Sequence, residues 1–169
     1  MASEHPEISD DSRNVLDAIR RIVQVLRKTA QTAEKKVGLS AAQLFVVRKL
    51  AETQMLSVGE LAQRTATSQS SVSEVVQRLV TAGLVSRQRS ARDARSVELT
   101  LTDAGRDLAA RSPAAVQDSV LEALNRMNAN DRKQLSRLLG VLMDEIGIAH
   151  LPATMLFEEG EKPAETVDK

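Results

Sequence analysis

Residues 56–105 read LSVGELAQRTATSQSSVSEVVQRLVTAGLVSRQRSARDARSVELTLTDAG. In Leu56-Ser57-Val58-Gly59-Glu60-Leu61, Ser57 caps a helix and Glu60 reaches back three residues. Leu56 and Leu61 close a hydrophobic staple around the pair. That helix runs to about Arg64, and Thr65-Ala66-Thr67 is too short for more than a turn. Ser68 opens the next helix, with Val72, Val75, Val76, Leu79 and Val80 on its buried side and Gly83 at its end. Two helices across so tight a turn make a helix-turn-helix geometry. Residues 84–88 then read as a strand, and 97–101, which alternate, as a second strand with one face buried. The polar, arginine-rich stretch 89–96 is the tip of the hairpin between them, and Thr102 or Asp103 caps the following helix.

Upstream, Leu39-Ser40-Ala41-Ala42-Gln43-Leu44 repeats the capping signature, opening a helix to about Glu52. Before it, Val15, Ile19, Ile22 and Leu26 recur at helical spacing, with Leu16 and Val23 widening the stripe and Gly38 as the C-cap. Downstream, Val116, Val120, Leu121, Leu124 and Met127 form one stripe, and Leu135, Leu138, Leu139, Leu142 and Ile146 another. Pro113 must kink or break any helix running on from Asp103. The expected organisation is a disordered acidic start (1–12), one domain (13–150) and an acidic tail (151–169) in which Met155-Leu156-Phe157 is the apolar exception. The fold class is mainly α with a small β-hairpin.

The 169 residues suit one domain. Hydrophobic residues make up 42% but aromatics only 1%, so aliphatic stripes must build the core. With no cysteine there is no disulfide framework, thiolate metal site or thiol redox switch. His5 and His150 are far apart, so no metal site and no cofactor is expected, and His150 reads as a surface residue near a helix end. No apolar run approaches the ~20 residues that span a bilayer, and the acidic start is no signal peptide. The expectation is a cytoplasmic protein without a membrane partner.

Lys and Arg number 23, as do Asp and Glu, but the charge is unevenly spread. Residues 1–13 carry Glu4, Glu7, Asp10 and Asp11 against Arg13, a net −3. Residues 152–169 are also −3, whereas 61–100 carry six arginines against Glu74, Asp93 and Glu98, a net +3. Solvated tails around a solvated face would give the same tally, but the arginines sit where DNA would need them. A polar helix start fits the major groove, and here it is Ser68, Gln69, Ser70 and Ser71, followed by Ser73, Glu74 and Gln77. Gln pairs with adenine and Glu accepts from cytosine. A hairpin tipped by Arg89, Arg92 and Arg95 suits the narrow, electronegative minor groove. The implied partner is double-stranded DNA.

With these elements in this order, segment 56–105 resembles the winged helix-turn-helix core of MarR-type transcriptional regulators. The resemblance rests on Leu61-Ala62, Ser71-Val72-Ser73, Leu79 and Gly83-Leu84-Val85. Asp93-Ala94-Arg95 matches the family's Asp-x-Arg wing motif, and Leu101-Thr102-Asp103-Ala104-Gly105 its Leu-Thr-x-x-Gly. It extends over about residues 13–147, with 40–105 as the winged helix-turn-helix. It implies a homodimer joined by the helices of 13–38 and 113–150, on a pseudo-palindromic operator with half-sites about 10 bp apart. Val15, Ile19, Ile22, Leu26, Leu135, Leu138, Leu139, Leu142 and Ile146 would form that interface; the alternative is that they cover their own subunit's core. It further implies base contacts from Ser70, Ser71 and Glu74, and a minor-groove contact from Arg95 oriented by Asp93, with Arg92 beside it. Arg64, Arg78 and Arg87 are phosphate candidates or simply solvated.

Three departures from the family pattern stand out: Ala66 where many members have Gly, Glu74 where Arg is common, and Pro113 inside the linking helix. Many relatives release DNA when a small-molecule effector binds between the dimer helices and the winged domain. Around that place the sequence offers chiefly Phe45 as an aromatic wall; Arg20, Arg21 and Arg48 could hold an anion, but the favoured reading is that they are solvated or contact phosphate. No nucleophile–base pair, metal cluster or Gly-rich phosphate loop speaks for an enzyme. The expected function is a DNA-binding repressor; the competing reading is a winged-helix protein-interaction module, against which Arg89, Arg92 and Arg95 argue.

Overall fold

The computed structural model describes residues 8–53, 55–89 and 97–157. Among them the chain forms α1 (Asp10–Val37), α2 (Ala41–Ala51), β1 (Leu56–Ser57), α3 (Val58–Thr65), α4 (Gln69–Thr81), β2 (Val85–Arg89), β3 (Val97–Leu101), α5 (Asp103–Arg111), α6 (Val116–Arg126) and α7 (Ala129–Glu145).

Local chemistry sets the starts and stops. The Ser40 Oγ accepts the Gln43 N–H at 3.2 Å, and the Gln43 side chain accepts the Ser40 N–H at 2.9 Å. Ser57 and Glu60 reciprocate in the same way at the start of α3. These bonds hold the Glu60 carboxyl below its ordinary range, because the Ser57 N–H and hydroxyl favour its charged form. Gly38 closes α1 in the left-handed region at φ 71°. Residues 9–12, expected to be disordered, instead belong to α1 and its cap: Ser9 caps the helix, and Asp10 and Asp11 lie in its first turn, where the helix dipole favours them.

The strands form one antiparallel sheet in the order β1-β3-β2. Leu56 pairs with Leu99, and Arg87 and Arg89 pair with Leu99 and Val97. The hairpin expected from the sequence is thus present, shifted by one residue at β2, and gains a third strand, β1, that pairing with β3 creates. Thr102 caps α5 by accepting the Gly105 N–H, and its hydroxyl donates to the Gly83 carbonyl at 2.7 Å. Gly105 sits so close to the chain corner at Leu84 that a Cβ there would lie 2.1 Å from the Leu84 carbonyl oxygen. α5 stops at Arg111, ahead of Pro113, and α6 starts at Val116.

The core lies inside the helix-turn-helix and sheet. Leu44, Phe45, Val46 and Val47 of α2, Leu61 of α3, Val72, Val75, Val76 and Leu79 of α4, and Leu99 of β3 are its fully buried large side chains. Each contributes about 1.5–3 kcal/mol by leaving water. α1 and α7 differ: α1 buries only Ala30 and Ala33, and α7 buries nothing.

Candidate DNA interface

The Ala66–Thr67 turn aims α4. Ala66, where a glycine would be unstrained, adopts φ 52° and ψ 42°, the left-handed conformation that L-residues avoid. Ser68 then caps α4 by accepting the Ser71 N–H at 3.2 Å. The apolar face of α4 is buried, and Gln69, Ser70, Glu74 and Gln77 are exposed on the other side, with Ser73 half-buried between them. Ser68 is half-buried, and its hydroxyl lies 2.9 Å from that of Ser70. Gln69 rests near Gly59 of α3.

Ser71 departs from the expectation that it contacts DNA. It is only 4% exposed, and its Oγ accepts the Met155 N–H at 3.2 Å. At 100° per residue it falls on the border between the buried and outward faces of α4, so its hydroxyl turns toward the chain.

The candidate phosphate contacts are spread around this helix. Arg64 is exposed in the last turn of α3, and Arg87 and Arg89 are exposed on β2. They share a strand face with buried Val85 but lie beyond the core's edge. Arg78 is half-buried and already partnered within the chain. Arg92, Asp93 and Arg95 lie outside the described residues.

The candidate dimer residues form two surfaces. Val15, Ile19 and Ile22 are exposed on α1, and Leu138, Leu139 and Ile146 are exposed at α7 and its C-cap. Leu135 and Leu142 are half-buried. Leu26 instead packs within its own chain, against Ala30, Ala41 and Val116, because the second half of α1 lies over α2 and α6. Exposed apolar side chains at helical spacing are candidates for an interaction surface.

Of the residues weighed as effector contacts, Phe45 and Arg48 are engaged within the chain, whereas Arg20 and Arg21 are exposed. Phe45 is a core residue at 1% exposure, not a pocket wall. Arg20 pairs with Asp17 on α1, and Arg21 is exposed on the same helix. Arg48 is engaged by Asp118 of α6 at 3.3 Å, and Asp118 also takes Lys49 at 2.7 Å. Burial opposes the charge on Lys49, but the bonds and charges of Asp118 and Glu52 outweigh it and raise its pKa. Asp118 thus pins α2 to α6; a partner 70 residues away in sequence left no local signal. An open cleft of about 820 Å³ runs between the end of α2, the sheet and α5, lined in part by Glu52, Thr53, Gln88, Thr100 and Arg106. Among the described residues no group of three His, Cys, Asp or Glu side chains is placed to hold a metal, and no helix is long and apolar enough to cross a membrane.

Comparison with known proteins places this geometry. The family model described as "MarR family" matches residues 39–97. The chain is 32% identical over 119 residues to HTH-type transcriptional repressor Rv2887 of Mycobacterium tuberculosis, covering 70% of this chain and 86% of that protein. It is 31% identical over 88 residues to HTH-type transcriptional repressor MdtR of Bacillus subtilis, covering 52% and 57%. A DNA-bound MarR family transcriptional regulator from Streptomyces coelicolor superimposes with a TM-score of 0.57 at 22% identity, over 82% of this chain and 92% of that one. A MarR variant from E. coli complexed with operator DNA gives 0.55 at 23% identity, over 80% and 99%. At these identities the two structures speak for the fold.

Proposed function

Because the chain belongs to the MarR family of winged helix-turn-helix proteins, we propose that it is a dimeric, sequence-specific DNA-binding repressor. The observation that carries this reading is the outward face of α4: Gln69, Ser70, Glu74 and Gln77 stand exposed together, with exposed Arg87 and Arg89 on the strand that follows. In the major groove, Gln69 or Gln77 pairs with adenine and Glu74 accepts from the cytosine amino group. Arg64, Arg87 and Arg89 supply phosphate contacts that position the helix without reading sequence. By resemblance, Arg95 enters the minor groove, oriented by Asp93, with Arg92 beside it.

Two copies pair through the exposed stripes of α1 and α7, which the single chain leaves in water. The pair presents two recognition helices about one turn of DNA apart. A small-molecule effector would find room in the open cleft between α2, the sheet and α5, where Glu52 and Asp103, the latter already paired with Arg106, disfavour an anion.

The test is selection of binding sites from random DNA, followed by titration of the selected and a scrambled duplex at one salt concentration. A repressor of this kind prefers its site by at least about 10³-fold, and affinity for either duplex falls steeply with salt as counterions are released. Equal binding to both duplexes would overturn the reading. Light scattering tests the pairing, which predicts twice the chain's 18.4 kDa; a monomer at micromolar concentration would refute it.

A further inference from the structure

After α7 the chain does not run off into solvent. Residues 152–157, without regular secondary structure, return to the first turn of the recognition helix. The Thr67 hydroxyl donates to the Ala153 carbonyl at 3.0 Å, and the Met155 N–H donates to the Ser71 Oγ at 3.2 Å. The Met155 side chain is 5% exposed and belongs to the same core cluster as Val72, Val75 and Leu79. At the other end, Gln117 Nε2 in the first turn of α6 donates to the Leu156 carbonyl at 2.9 Å. Phe157 packs against Ala30, Ala41 and Val116. An irregular segment must find partners for its backbone groups, and this one finds them at the two ends that matter: the turn before α4 and the layer of α1 and α6.

The position of these bonds gives them a role. Thr67 directly follows Ala66, whose left-handed conformation persists only where the surroundings over-determine it. Ser71 borders the exposed side chains of α4. We propose that residues 153–157 are a positioning strap: Met155 and Thr67 fix the height and tilt of the first turn of α4 against α1 and α6. Discrimination by Gln69, Ser70 and Glu74 then depends on a segment whose own contacts lie on the inner flank of the helix. The proposal rests on the DNA-reading assignment made above. Met155 and Thr67 are positioning residues in it, not base contacts.

Two variants of the full chain test it, read by hydrogen exchange of residues 69–73 without DNA and by affinity for the selected and scrambled duplexes. Met155→Asn places a polar group in the buried site, and Thr67→Val removes the hydroxyl at the surface end with little risk to folding. Both are expected to exchange faster in the first turn of α4. Met155→Asn should lose about tenfold of its preference for the selected duplex, comparable to one mispositioned base contact, while binding to scrambled DNA is unchanged. Met155→Leu, which keeps shape and polarity, should restore both readouts. Unchanged exchange in both variants overturns the strap. Faster exchange with unchanged preference overturns its positioning role, as does an equal loss on both duplexes. A wild-type chain that prefers neither duplex overturns the DNA-reading assignment and the positioning role with it, whereas the exchange measurement still judges the strap alone.

Discussion

The helix-turn-helix core and the flanking layer of α1 and α7 are built from the same sequence device, an aliphatic stripe at helical spacing, yet the two stripes meet different fates. Val72, Val75, Val76 and Leu79 of α4 are fully buried within the chain. Ile19 and Ile22 of α1 and Leu138 and Leu139 of α7 remain 37–57% exposed. Periodicity therefore reports that a face is to be covered but not by what. The core stripe is covered by α2, α3 and the sheet; the outer stripes stay exposed in the single chain, and the proposed pairing is what would cover them.

The largest expected effect breaks this comparison if it fails. Leu79→Ala should cost about 3 kcal/mol at every protein concentration, because the cavity forms inside one chain. Leu138→Ala should cost under about 0.5 kcal/mol in dilute protein, as an exposed substitution does, and more as concentration rises and pairing is linked to folding. Urea denaturation at two concentrations measures both. A concentration-independent loss at Leu138 would mean that α7 packs on its own chain.

Next is the corner where α5 meets the sheet. A methyl group at Gly105 would sit 2.1 Å from the backbone oxygen of Leu84, which cannot rotate away as a side chain can. Gly105→Ala should destabilise the core by about 2–3 kcal/mol, seen as a lower melting temperature. Gly140 on α7 has nothing within 4 Å of its would-be Cβ, so Gly140→Ala should leave the monomer unharmed or stabilise it slightly.

The joint between the two regions comes third. Asp118 takes both Lys49 and Arg48, so Asp118→Ala leaves Lys49 with Glu52 alone and Arg48 with only the Pro113 carbonyl. The expected loss is about 1–2 kcal/mol near neutral pH. The Lys49 pKa is raised in the fold, so its contribution is complete below the ordinary lysine range and disappears as pH rises through the folded value. Chemical denaturation of the wild type near neutral pH and above the ordinary lysine range should show that alkaline decline, and Asp118→Ala should lack most of it.

What could be read in advance divides along physical lines. Both capping boxes, the limits of β3 and the break at Pro113 were legible because each depends on residues within a few positions of one another. β1 was not, since two residues become a strand only by pairing with β3 more than forty positions away. Asp118 and the strap contacts at Thr67 and Ser71 were hidden for the same reason. Within the site, residue type was a weaker guide than helical angle. Ser71 is a hydroxyl in a polar run, but its angle turns it toward the chain, whereas Gln69, Ser70, Glu74 and Gln77 are exposed as expected. In the acidic tail Met155-Leu156-Phe157 stands out as an apolar exception able to pack, and Met155 and Phe157 do, but no local signal says against which elements.

The smallest effect concerns the turn on which both readings of α4 depend. Ala66 holds a positive φ of 52°, and a left-handed alanine costs roughly 1–2 kcal/mol relative to the right-handed form. Glycine removes that cost but loses about 0.5–1 kcal/mol through its freer unfolded chain. Ala66→Gly should therefore stabilise the protein by only about 0.5 kcal/mol, the difference between the two terms, and a thermal melt is enough to show it. Its more informative consequence is on the first turn of α4. With the strain relieved, the turn depends less on the Thr67–Ala153 bond, so Ala66→Gly should soften the effect of Thr67→Val on exchange in α4. If the two substitutions act additively, the turn and the strap are independent supports of the recognition helix. If they couple, the strain at Ala66 is what the strap holds in place.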